Sequence, residues 1–251
     1  HGVHRRQRQM CIRDSGNGIK FPINIFMEGH EVALFYGWKT DGLFQSGDTM
    51  YPINGSMSQP GDIKVLDLNG DGVVDLADRT VIGNPNPDYV YGFNVNLSYK
   101  GFSMRALFNG VEGNEIVNGN YYRFGWAEGT YRNILADAWY DRWTPDNTSA
   151  AYPRLGYSAD LFGALMDRVI EDGSYLRLKS ITLNYDIPLS NNNFIDAANV
   201  YITGSNLFTW TDYSGYDPEI TTFLWDGLLQ GTDWNNKPNS RSVLVGVNLN
   251  F

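Results

Sequence analysis

The chain has 251 residues, 42% of them hydrophobic and 14% aromatic, and a formal charge of −9. That length admits one large all-β domain or two ordinary ones, and the aromatic content suffices for a sizeable buried or lipid-facing surface. An acidic chain with one cysteine argues against nucleic-acid binding, a disulfide scaffold, a Cys-ligated zinc site and a thiol nucleophile.

The opening "HGVHRRQRQMCIRDS" is basic, polar and without hydrophobic period, so residues 1–15 read as a non-native leader and 16–251 carry the fold. Setting the leader aside leaves 15 basic against 27 acidic residues, a net −12, and no cysteine. The lack of an initiator Met and of a signal peptide predicts that the native sequence extends upstream. No run of about 18 apolar residues is present, which excludes a transmembrane helix but not a transmembrane barrel, whose strands are only alternately apolar.

The first motif is "DLNGDGVVDLADR", Asp67 to Arg79. Asp67, Asn69, Asp71, the Val73 backbone, Asp75 and Asp78 fall at positions 1, 3, 5, 7, 9 and 12 of a calcium loop, with Gly72 at the turn position 6. The other reading is an Asx-rich turn whose carboxylates bond backbone N–H groups. Asp78 is shorter than the bidentate Glu usual at position 12, so bound calcium would be held at roughly 10⁻⁴–10⁻³ M and would brace a loop.

From Val90 onward the hydrophobic period is two. Tyr91, Phe93, Val95, Leu97 and Tyr99 share one face against Asn94, Asn96, Ser98 and Lys100, and Phe102, Met104, Ala106 and Phe108 repeat the pattern after a Lys100-Gly101 turn. A long segment follows, with a helical candidate at "NILADAWYDRW". Strand pattern returns at "SYLRLKSITLNYDIP", where Leu176 and Leu178 lie on the parity opposite to Ile181, Leu183 and Tyr185, so either a bulge near Lys179-Ser180 or strand rising above any membrane is expected. Strands at "ANVYITGSNLFTW" and "SVLVGVNLNF" flank a second long loop. The predicted strands are 90–100, 102–109, 174–187, 199–210 and 241–251, with long loops near 38–88, 110–173 and 211–240. Short turns alternating with long loops are the asymmetry of an outer-membrane barrel.

The final strand ends on an aromatic, Phe251, as an outer-membrane insertion signal does; an ordinary β-sandwich strand is the plainer reading. Aromatics cluster toward strand ends, where amphipathic rings meet a membrane interface. Catalytic material is sparse. His30 is the one histidine after the leader, while Glu171-Asp172 and "YDPE" at 216–219 offer carboxylates that could form a glycosidase pair but that in loops ordinarily cap or face water. Tyr121, Tyr122, Trp126, Tyr131 and Trp139 could stack on sugar rings or pack the loop on itself.

Taken together, "DLNGDGVVDLADRTVIGNPNPDYVYGFNVNLSYKGF", "IEDGSYLRLKSITLNYDIP", "VYITGSNLFTWTDYSGYDPE", "GVNLNF" and "FYGWKTDGLFQS" resemble the C-terminal portion of SusC/RagA-type TonB-linked outer-membrane transporters. The resemblance covers residues 17–251. It implies an all-β fold, the C-terminal part of a transmembrane antiparallel β-barrel of about 22 strands with long extracellular loops and a plug supplied by sequence not present here. It further implies a Gram-negative outer membrane, a SusD-like lipoprotein lid, energy from TonB through the plug, and glycans or peptides as solutes. No catalytic residue is expected. The alternative is a secreted, calcium-stabilised β-sandwich that binds carbohydrate; it differs in burying its aliphatic face between two sheets.

Overall fold

The computed structural model describes residues 10–11, 23–125, 133–157, 165–189, 194–219, 229–234 and 236–251. Two compact units form. One gathers His1–Asn86, Glu115–Glu171 and Ile220–Asn236, and the other Pro87–Asn114, Asp172–Glu219 and Lys237–Phe251.

The second unit is a single antiparallel sheet of five strands: β1 (Tyr89–Tyr99), β2 (Phe102–Glu112), β3 (Tyr175–Asp186), β4 (Ala197–Thr211) and β5 (Ser242–Asn250), in the spatial order β5-β4-β3-β2-β1. The expected strands all form, within three residues of their expected ends. β-branched and aromatic residues at period two drive each one. Lys100 (φ 45°) and Gly101 (φ 84°) both lie in the left-handed region, as the two central residues of a tight hairpin turn must. The expected bulge is present. Ser180 pairs with Leu107 and Leu178 with Phe108, leaving Lys179 as the extra residue. On the other side Ser180 pairs with Ser205 and Leu178 with Phe208, so Asn206 (φ 52°) and Leu207 loop out of β4.

The first unit is built mainly from the segments read as loops, and it has a core of its own. Phe35, Trp38, Phe44, Ile63, Val65, Val74, Val117, Leu165 and Val169 are buried together. Short strands frame this core: Asn24–Phe26, Leu34–Gly37 and Thr80–Gly83 in one sheet, and Ile170–Asp172, Glu115–Asn118 and Thr232–Asp233 in another. Met10–Cys11, inside the segment set aside as a leader, pair antiparallel with Ile25 and Phe26 as an edge strand. Gly37 permits the closest approach here, because a Cβ would collide with the Leu165 carbonyl. The helical candidate forms only as Ala136–Tyr140, and a second helix, Gly119–Phe124, starts on Asn118, whose side chain accepts from the N–H groups of Asn120 and Tyr121.

Candidate functional site

The register of the five-stranded sheet assigns every side chain to one of two faces. Along one face the rows read Tyr99–Phe102–Tyr185–Val200–Val247, Leu97–Met104–Leu183–Ile202–Val245, Val95–Ala106–Ile181–Gly204–Val243, and Phe93–Phe108–Leu178–Phe208. A last row holds Tyr91, Gly110, Leu176 and Trp210. Two aliphatic rows are therefore bounded by aromatics on both sides. The rings touch: Phe102–Tyr185 centroids are 4.3 Å apart, Phe93–Phe108 4.7 Å and Phe208–Trp210 6.1 Å. The eight steps from Tyr91 to Tyr99, at about 3.4 Å each, span about 27 Å. The usual barrel tilt reduces this to about 20 Å between ring rows, close to the apolar band of an outer-membrane wall.

This apolar face is open. Leu97 is 60% exposed and Val245 70%, values that exclude the sandwich alternative, in which both would be buried between packed sheets. The other face is polar, with rows Ser98–Ser103–Asn184–Tyr201–Gly246 and Asn96–Arg105–Thr182–Thr203–Leu244. Cross-strand bonds knit it: Arg105 Nε donates to Asn96 (3.1 Å), the Thr182 and Thr203 hydroxyls bond at 2.9 Å, and Asn248 donates to Asn199 (3.0 Å).

An ionic cluster sits at one end of the polar face. Arg177, 2% exposed, donates from Nε to the Thr209 hydroxyl (3.0 Å) and forks its terminal nitrogens to Asp217 and Glu219. The extra residue Lys179 donates to both Glu219 oxygens, at 2.9 and 3.0 Å. The backbone N–H groups of Glu219 and Asn239 donate to Asp217 (3.0 and 3.1 Å). Burial pushes the Asp217 carboxyl up, but the Arg177 bond and the two backbone N–H groups outweigh it and hold the carboxyl below its ordinary value. A depressed folded-state value adds stability that is fully present above the unfolded value near 4 and is lost as pH falls through the folded one. The cluster should thus loosen as pH falls below the ordinary carboxylate range, and Asp217→Asn should flatten the acid limb of a stability–pH profile. The "YDPE" carboxylates are ion-paired struts. Glu171 likewise accepts from Asn118 (2.8 Å), and Asp172 caps the Ser174 N–H (2.8 Å).

The 67–78 loop is tied up by its own backbone. Asp67 accepts from Gly70 (2.7 Å) and Gly72 (2.8 Å), Asn69 from Asp71 (2.8 Å), Asp71 from Val73 (2.9 Å) and Asp75 from Ala77 (2.7 Å). Asp78, 1% exposed, takes Leu68 and Asn69 on one oxygen and Asp75 on the other. Asp78 and Asp75 form a reciprocal capping box on the 3₁₀ turn Leu76–Asp78. The Asp67 carboxyl is held low, chiefly by the Gly72 N–H. The six expected donors share one loop, yet among the described residues no three acidic, His or Cys side chains gather as a metal-holding group. The side-chain oxygens of Asp67, Asn69, Asp71, Asp75 and Asp78 each accept a neighbouring backbone N–H here, as in an Asx-rich turn. The Trp38 indole donates to the Asp75 carbonyl (2.9 Å), and Arg79 stacks over Tyr36 and Trp38, fixing the loop to the core of its unit. Asp78→Ala strands three backbone donors and should cost about 1–3 kcal/mol, read as faster amide exchange at 68–75.

Comparison with known proteins agrees with the two-faced sheet. No protein-family model matches the chain. It is 33% identical over 248 residues to TonB-dependent receptor P3 of Formosa agariphila, covering 94% of this chain and 24% of that one. Identity to TonB-dependent receptor SusC of Bacteroides thetaiotaomicron is 28%, over 95% of this chain and 22% of SusC. The solved RagAB peptide importer in its closed-closed state superposes with a TM-score of 0.69 at 26% identity, over 90% of this chain and 24% of that one. The chain belongs with the SusC/RagA-type TonB-dependent receptors. It spans about a quarter of the length of the relatives it matches.

In a TonB-dependent receptor the sheet is a piece of barrel wall, and its open apolar band needs no second sheet to cover it. A recess of about 630 Å³ lies among Leu97, Met104, Leu183, Ile202 and Val245 of that band, with Ser98, Ser103, Asn184 and Tyr201 also on its lining. Of the loop aromatics, Tyr121 packs on Tyr152 and Tyr122 on Trp234, while Trp139 has Arg142 over its ring at 4.1 Å; Trp126 and Tyr131 lie outside the described residues. Phe251 is 73% exposed and meets Phe194 edge-on. The sequence reading missed the Arg177 cluster. Its signal was there: a broken parity beside two cations, with an acidic "DPE" 40 residues on.

Proposed function

We propose that this chain supplies barrel wall and outward-facing loops to an outer-membrane importer that draws energy from TonB, works with a SusD-like lipoprotein and takes in glycans or peptides. The observation that carries the reading is the exposed aliphatic band with aromatic rows on both sides and a polar opposite face. Similarity to SusC and to a complex named as a peptide importer supports it. The relatives are named as receptors and an importer, and the carboxylates once weighed for catalysis are ion-paired or capping, which supports a transport role without chemistry. A Gram-negative outer membrane is the site this implies.

The test is uptake. Cells lacking the full-length receptor should lose uptake of a labelled oligosaccharide or peptide, and loss of TonB should reproduce the defect. Uptake unchanged in both strains, across both solute classes, would refute the reading. Calcium at the 67–78 loop is a separate proposal, motivated by the donor spacing: millimolar calcium should slow proteolysis of this loop in the intact receptor relative to chelator. Equal cleavage in the two conditions would leave the loop as a self-capped turn.

A further inference from the structure

The connection from β4 to β5 runs from Thr211 to Ser242 between neighbouring strands, so nothing in the sheet order requires it to touch β3. It does so twice. Its outgoing leg reaches Arg177 and Lys179 on β3 through Asp217 and Glu219, and its returning leg joins the same cluster through Asn239, whose backbone N–H bonds Asp217 and whose side chain donates to Glu219 (3.2 Å). Arg177 lies on the polar face, opposite Asn109 and Thr209, and Leu176 and Leu178 point the other way. To meet it, the outgoing leg folds back from Thr211 onto the polar side, and the returning leg must pass β4 on that side before it reaches β5.

The bulge explains how one carboxylate finds two cations. In a regular strand Lys179 would take the place facing Leu107, and every later residue of β3 would change face. As an extra residue it adds a second positive charge beside Arg177 while Ser180, Thr182 and Asn184 keep the polar face. Two cations against two carboxylates make the cluster neutral, and the fork of Arg177 fixes its geometry in a way a lysine could not. Arg177 is as buried as any core residue, and an Arg so buried is retained only with its partners in place.

We propose that Arg177 is a positioning residue: with Lys179 it straps the two legs of the β4–β5 connection, residues 212–219 and 237–241, against the polar face of the wall and so narrows the passage that face lines. The narrowing rests on the transport reading above; the strap does not, and the two are measured separately.

The experiment uses the full-length receptor in detergent and in cells. Arg177→Met leaves two carboxylates without their partner, and amide exchange in the described parts of 212–241 should accelerate by about two to three orders of magnitude, the change that breaking a buried ion pair implies. A triple variant, Arg177→Met with Asp217→Asn and Glu219→Gln, removes the stranded charges. It should keep wild-type exchange in β1 and β2 and still show a freed connection, whereas Arg177→Lys should restore part of the protection. In cells, the triple variant should admit a large hydrophilic antibiotic such as vancomycin, at wild-type receptor levels. Wild-type exchange at 212–241 in the triple variant would overturn the strap, as would acceleration spread equally through β1 and β2. A freed connection with unchanged vancomycin sensitivity would overturn the narrowing.

Discussion

Arginine at Val243 should cost the full-length receptor about 2–4 kcal/mol in a lipid bilayer, whereas arginine at Leu244 should cost about 0.5 kcal/mol or less. The two residues are adjacent on β5 and nearly equally exposed, at 64% and 59%. They differ in face. Val243 pairs with Gly204 in the central row of the apolar band, and Leu244 pairs with Thr203 on the polar side. If water lay on both sides, neither substitution would matter, because an exposed surface change away from special features falls within about ±0.5 kcal/mol. The difference therefore measures the solvent rather than the packing. Urea titrations of both variants refolded into vesicles give it directly, and equal midpoints would remove the lipid from the account.

Trp38→Ala should have the second large effect, about 3–5 kcal/mol against the unit that holds Trp38. The indole is 1% exposed in a core with Phe35, Phe44 and Val65, donates to the Asp75 carbonyl and lies under Arg79. Its loss opens a cavity and unties the 67–79 loop together. Amide exchange through the described residues of that unit should rise by about two to three orders of magnitude, at roughly 1.4 kcal/mol per decade. Exchange limited to the loop, with the core unchanged, would show that Trp38 only anchors the loop.

The wall was legible because its signal is local. Period-two alternation, the Lys100-Gly101 turn and even the bulge at Lys179 are written within a few residues of where they act, since facing is set by strand parity alone. The first unit was not legible for the opposite reason. Its core joins Phe35 and Val65 to Val117, Leu165 and Val169, and Val117 in turn pairs with Thr232; no window of sequence contains such contacts, so its segments read as loops. The 67–78 motif was legible as a run of oxygen donors but not as a set of hydrogen bonds. Spacing shows which oxygens can reach one point, but backbone N–H groups compete for the same lone pairs, and in this fold each acid serves a neighbouring N–H.

On the transport reading, one face of the five-stranded sheet meets lipid and the other does not. In a receptor background cleared of its own cysteines, single cysteines can be placed at Leu97, Leu183 and Val245 on one face and at Ser98, Asn184 and Leu244 on the other. In the full-length receptor in vesicles, spin labels at the first three positions should be broadened by oxygen dissolved in lipid and shielded from a water-soluble nickel chelate. Labels at the second three should show the reverse or no lipid contact. Alternation in step with strand parity is the predicted result; accessibility to the nickel chelate at Leu97, Leu183 and Val245 equal to that at their neighbours would contradict the account.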